Sequence, residues 1–283
     1  MAAKIKRKMS NISLLHCFKF IFRSLMFIVA LTLYIVNKVT AKDTEKLFGE
    51  IGSNTVVMIV IWLIFAVEVG FRFFPTKFES MGCQKQFKRN YLEPQNIVTP
   101  KPEKMSWKKT FTVAFLWILG NAVFGGLYLL GIFDYGILIL LFFAYSVGDM
   151  ICVLFFCPFH TWIMKNKCCN TCRIYNWDFP MMFTPLIFIP HWFSWSLVAI
   201  SLALLIEWEV LYKLHPERFT ENTNHNLRCA NCTERACAHK KQLAAYIRKW
   251  NTEHKSDFPI KTYINPKLRR KLPKKNGKVK IEQ

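Results

Sequence analysis

The sequence predicts an all-α integral membrane protein. It reads as a bundle of five or six transmembrane segments, one of them broken by prolines, with a short basic cytoplasmic tail. Three observations predict this class. Of the 283 residues 52% are hydrophobic, 26 are Phe and 9 are Trp, and the mean hydropathy is +0.17; an ordinary soluble domain is less apolar. Charge is nevertheless abundant, with 39 Lys and Arg against 18 Asp and Glu, a net +21. The two kinds of residue are segregated into apolar runs and basic loops, as in multi-span helical proteins. The runs also exceed the roughly 14 residues typical of a buried soluble helix.

Five apolar segments follow in order: 18–37, 55–74, 111–131, 136–159 and 179–212. The basic start before the first resembles a signal peptide. Its apolar run is longer than a signal core, and "VTA" at 39–41 is a poor cleavage site, so it reads as a retained span. The fifth segment is too long for one crossing of about 20 residues. Pro180, Pro185 and Pro190 interrupt it, and each proline removes a backbone donor. A short broken or re-entrant piece, then a full helix from about His191, is expected.

Lys and Arg set the orientation. Lys4, Lys6, Arg7 and Lys8, then the loop 75–110, then Lys165, Lys167 and Arg173 fall on one side if the first four segments each cross once. That side is the cytoplasm of a cell-membrane protein. The tail is basic too, so 179–212 is expected to cross twice, as a hairpin turning near Pro190. Residues 1–212 form the transmembrane domain, with a Cys-rich loop at 157–178, and 213–283 the cytoplasmic tail.

Chemistry is concentrated in cysteine. Seven of ten cysteines lie in two clusters. The first is Cys157, Cys168, Cys169 and Cys172, with His160 among them. The second is Cys229, Cys232 and Cys237, with His239. Each holds a C-x-x-C, a spacing that lets two thiolates converge on one metal from a tight turn. Either cluster offers three thiolates and an imidazole, and the two clusters can also meet. Zinc and an iron–sulfur cluster are both compatible with this set. The aromatics Phe155, Phe156, Phe159, Trp162, Tyr175 and Trp177 lean toward iron–sulfur, though membrane interfaces attract aromatics anyway. A metal-free dithiol, activated by Lys167 and Arg173, is the other reading. Structural disulfides would need an oxidising compartment. Cys17, Cys83 and Cys152 read as packing residues.

Four polar residues fall inside or beside the apolar segments. Glu68, Asn121 and Asp149 sit at similar depth, where ionisable groups often mark an ion or proton path. Arg72 is an i,i+4 partner for Glu68. Asp149 has no local partner and is expected to be held protonated by desolvation. His191 follows Pro190 as a further ligand or proton carrier.

In the tail, 240–250 can form an amphipathic helix bearing Leu243, Ile247 and Trp250 on one face. The run 267–280 is strongly basic. Its expected partner is anionic inner-leaflet lipid, at about 1 kcal/mol per charge; no nucleic-acid module surrounds it. No Gly-rich phosphate loop, G-x-S-x-G, H-E-x-x-H or internal repeat is found. Two functions remain: a membrane redox component passing electrons to a membrane partner, or a scaffold or small transporter clipped by structural zinc.

Overall fold

The computed structural model describes residues 11–39, 55–76, 81–94, 106–166 and 169–228, with 102, 250 and 253. The chain divides into two compact units, Met1–Lys240 and Lys241–Gln283; every element below belongs to the first. The described residues are helical, with no strand among them. Among the described residues three helices are long and apolar enough to cross a membrane: α1 (Asn11–Val39, with its apolar window at Ile12–Val36), α4 (Trp107–Leu129) and α5 (Tyr135–Leu154). At ~1.5 Å per residue, the 20 residues of α5 cover about 30 Å. The helix α2 (Thr55–Gly70) is equally apolar but has 16 residues, about 24 Å. A short α3 (Met81–Gln86), α6 (Asp178–Phe183) and α7 (Trp192–Leu214) complete the set.

Helix α1 packs antiparallel on α5, and contacts at both ends fix the register. At one end Asp134 caps α5, accepting the Ile137 N–H at 3.0 Å, Lys38 Nζ at 2.8 Å and the Tyr34 hydroxyl at 3.1 Å. Burial pushes the Asp134 carboxyl up, and these three donors more than offset it, so its pKa lies below the usual value. The cap therefore contributes stability above a pH of about 4 and loses it only in stronger acid. Toward the other end, Phe20 of α1 meets Phe155 edge-on at 5.5 Å.

The proline-rich segment is the centre of the fold. It forms α6, then a 3₁₀ turn at Thr184–Phe188, then α7 after a break at Pro190. Phe179, Phe183, Leu186 and Ile189 are buried, and α5 and α7 both pack on this limb. Phe183 meets Phe65 of α2 at 5.9 Å and Phe142 of α5 at 5.8 Å. The broken backbone is repaired locally. Pro185 cannot donate to the Met181 carbonyl; the Thr184 hydroxyl does so at 3.0 Å, and reaches the Pro180 carbonyl at 2.9 Å. Trp117 Nε1 donates to the same hydroxyl at 3.0 Å. Trp195 Nε1 donates to the Ile187 carbonyl at 3.3 Å. Irregular backbone at membrane depth is tolerated only with such partners.

The limb and α7 are antiparallel. Trp177, just before α6, donates Nε1 to Glu209 near the end of α7 at 2.8 Å. The limb's far end, Phe188, packs on Gly125 near the end of α4. A Cβ at Gly125 would lie 2.0 Å from Phe188 Cζ, so only glycine fits under this ring. Gly125→Ala should destabilise the protein by about 1–3 kcal/mol, read as a lowered thermal midpoint in detergent. In Gly125→Ala/Phe188→Leu the loss should be smaller than the sum of the two single losses. Strict additivity would mean the two residues do not support one another.

Candidate functional site

Inside the bundle, four charges from three helices form one neutral cluster. Arg23 of α1 lies between two carboxylates. Its Nη2 is 2.5 Å from Glu68 Oε2 on α2, and its Nη1 is 3.0 Å from Asp149 Oδ2 on α5. Nη1 also donates to the Ser146 carbonyl at 3.1 Å. Lys19 Nζ is 3.4 Å from Glu68 Oε1. The Arg23 side chain is only 4% exposed. This corrects one expectation: Asp149 is not without a cation, because Arg23 reaches it from another helix. Arg72 pairs with Asp178 at the start of α6.

The Arg72 guanidinium also lies over the Tyr175 and Phe179 rings, at 5.8 and 5.4 Å. A second clamp joins Arg173 to Glu209 of α7. Arg173 sits 3.8 Å over the Tyr212 ring. Together these hold the Cys-rich loop to α2 and α7, a use of Arg as a planar stacking cation. Asn121 and His191 have ordinary structural surroundings. Asn121 Nδ2 donates to the Trp117 carbonyl at 2.9 Å, and its Oδ1 accepts the Tyr145 hydroxyl at 3.3 Å, tying α4 to α5. His191 is exposed at the turn before α7, 4.7 Å from the Phe193 ring.

The loop after α5 turns back on itself. A π-helical turn spans Phe159–Met164, with Cys157 Sγ accepting the His160 N–H at 3.4 Å. Lys165 ends it in the left-handed region, φ 54° and ψ 38°. Next comes a 3₁₀ turn at Cys169–Thr171, closed by Cys172 N–H to the Cys169 carbonyl at 2.9 Å. Gln86 of α3 secures this turn. Its Nε2 donates to the Asn170 carbonyl at 3.3 Å, and its Oε1 accepts Asn176 Nδ2 at 2.9 Å.

A cavity of about 490 Å³ lies between α4, α5, α6 and this loop. Cys157, His160, Cys169 and Cys172 all line it, as do Cys152 and Asp149. All six described cysteines are thiols rather than disulfides. The C-x-x-C is asymmetric. Cys169 is partly exposed, whereas Cys172 is buried against Val113, Met164 and Ile174. Burial, reinforced by the neighbouring Cys157 and Cys169, pushes the Cys172 thiol up to about 12.

Among the described residues, no three Cys, His, Asp or Glu side chains converge closely enough to hold one ion. Cys157, His160, Cys169 and Cys172 share a cavity wall, and Cys172 is buried in an apolar cluster. Cys168, Cys229, Cys232, Cys237 and His239 lie outside the described residues, as does the basic run 267–280. The chain leading to the second cluster is described. Asn224 Nδ2 donates to the Lys85 carbonyl at 2.9 Å, the His225 N–H to the Leu92 carbonyl at 2.8 Å, and Asn226 Nδ2 to the Asn90 carbonyl at 2.6 Å. The short helix α3 thus touches both the Cys169–Thr171 turn and the segment ending at Arg228.

Sequence reading missed Arg23, Gln86 and Asp178. Arg23 carried a signal, a lone guanidinium within an apolar run; the other two carried none. Arg23→Met should cost about 3–5 kcal/mol, the penalty for leaving buried charges uncompensated. The triple variant Arg23→Met/Glu68→Gln/Asp149→Asn should recover most of it. Thermal unfolding in detergent measures both, and equal losses in the two would sink the electrostatic account. No protein-family model, no curated protein and no solved structure matches this chain.

Proposed function

We propose that this chain is a multi-pass membrane thiol–disulfide redox protein whose working group is the Cys169–Cys172 pair. It crosses the membrane six times, with the N-terminus and the Cys-rich loop in the cytoplasm and 179–212 crossing as a hairpin. The basic tail holds to anionic inner-leaflet lipid. Cytosolic disulfides are typically transient and catalytic, as this pair's would be.

One observation carries the reading: a closed C-x-x-C turn on a cavity wall, with one accessible and one buried thiol. An i-to-i+3 turn keeps its end Cα atoms within about 7 Å, close to the span of about 4.4–6.8 Å that a disulfide bridges. Cys169, the partly exposed thiol, meets the partner first. Cys172, kept protonated by its apolar surroundings, closes the disulfide afterwards. Thiol–disulfide exchange proceeds by such attack and resolution. Bridging them asks little of the backbone, since Gln86 already holds the turn.

A second reading is favoured by α3, which touches the Cys169–Thr171 turn and the segment leading toward Cys229. From Leu227, buried beside α3, two residues lead to Cys229, a reach of at most about 7 Å. A zinc or iron–sulfur centre would then draw on Cys169, Cys172, Cys229 and Cys232, giving a structural clip or an electron carrier.

Thiol mapping tests the first reading. In reduced protein at pH 8, maleimide should label Cys169 and leave Cys172 unlabelled, because only about one Cys172 in ten thousand is then a thiolate. Diamide should abolish Cys169 labelling in the wild type and leave it intact in Cys172→Ser. Continued labelling of Cys169 in diamide-treated wild type would refute the dithiol. Zinc, or iron with sulfide, in anaerobically purified protein, lost in both Cys169→Ser and Cys232→Ser, would favour the metal reading instead.

A further inference from the structure

We propose that the cavity beside the Cys169–Cys172 pair takes a quinone-class ring, which serves as the two-electron oxidant of that dithiol. The inference rests on the thiol-redox reading above and names its substrate. Four observations carry it.

The cavity lies at the thiol-bearing end of α5, and its rim is apolar and open. Ile151, Phe156 and Trp162 are 39%, 42% and 62% exposed there. In a protein that spans a bilayer, such a rim faces lipid, so the natural ligand arrives from the hydrocarbon and is itself lipophilic. The volume, about 490 Å³, falls within the ~300–1,000 Å³ of small-molecule pockets.

The walls suit a flat ring. Trp117 lies 4.6 Å from Tyr145 and 5.9 Å from Phe159, centroid to centroid, and all three line the cavity. Aromatic groups pair best in offset or edge-on contact with partners of the same kind.

Charge disfavours nucleotide electron acceptors. Among the described residues lining the cavity there is no Lys or Arg, and its two carboxylates, Asp149 and Asp178, are already paired with Arg23 and Arg72. Nicotinamide and flavin nucleotides carry phosphates, and the wall itself offers these no cation. A neutral ring meets no such penalty, and Tyr145 and His160 stand in the cavity wall as polar side chains.

The chemistry balances without another reagent. Cys169 Sγ adds to the quinone ring, forming an S–C bond, and its proton goes to one carbonyl oxygen. Cys172 Sγ then attacks Cys169 Sγ. The S–S bond forms as the S–C bond breaks, the electron pair stays on the ring, and the Cys172 proton goes to the second oxygen. Two thiols become one disulfide, and the quinone becomes a hydroquinone.

The test uses the full chain in detergent and the short-chain probe ubiquinone-1. Binding is read by tryptophan quenching in Cys169→Ser/Cys172→Ser, which binds but cannot react. Gly148 lines the cavity, and a Cβ there meets nothing within 4 Å. Gly148→Leu should therefore fill the space, keep the thermal midpoint, and weaken binding by about tenfold or more. Reduced wild type should yield one hydroquinone per disulfide formed. Unchanged binding in folded Gly148→Leu would overturn the site. Closure of the disulfide by diamide but not by ubiquinone-1, or quenching without thiol oxidation, would overturn the quinone while leaving the dithiol intact. Failure of both oxidants would remove the dithiol reading and this inference with it.

Discussion

The fold depends on satisfying the backbone of one broken limb. Residues 178–188 are too short and too interrupted to stand alone in hydrocarbon, where each unpaired carbonyl costs several kcal/mol. Thr184 replaces the donor lost at Pro185, and Trp117 and Trp195 bind what remains. Those two indoles belong to α4 and α7, so repair of the limb fixes the helices around it. Gly125 lets α4 approach closely enough for this to happen. The cavity is a consequence: α4 and α5 are held against the upper limb, and the loop between α5 and α6 covers the space left at the other end.

Charge does the same work at the thiol-bearing end. Each buried cation faces a carboxylate from a different element: Arg23 bridges α1, α2 and α5, Arg72 joins α2 to α6, and Arg173 joins the loop to α7. Buried pairs of this kind are poor sources of net stability but costly to break. Their effect is selective. A register in which Arg23 misses Asp149 leaves two uncompensated charges, so the pairs discriminate against slipped packings of helices that are apolar on every side and otherwise carry little orientational information.

Much of this was legible in the sequence, and the reasons for the failures are physical. The prolines announced the broken limb and the helix after it, because proline acts on its own turn. That 178–188 and α7 run antiparallel has no signature in spacing; Glu209 meeting Trp177 and Arg173 brings their ends together. Local pairing rules were incomplete for Glu68, which also meets Arg23 and Lys19 of α1, while Arg72 reaches Asp178 and two aromatic rings. Partners across helices, such as Arg23 for Asp149, are set by packing and have no signature in spacing. The cysteines were legible as a group, but their arrangement depends on a left-handed Lys165 and on Gln86 from a distant segment, neither of which marks itself.

The difference between Cys169 and Cys172 bears most directly on chemistry. A metal shell asks its thiols to be equivalent: all deprotonated and all aimed at one point. Here one thiol belongs to the apolar cluster of Val113, Met164 and Ile174, and its proton is held tightly by that burial. A bound cation would have to supply enough charge to reverse this. Sequential dithiol chemistry asks for the opposite, one thiol that meets the partner and one that waits. Burial of Cys172 disfavours its thiolate, while the closed turn holds it near Cys169. On the proposed dithiol reading, this packing would order the two thiols in time.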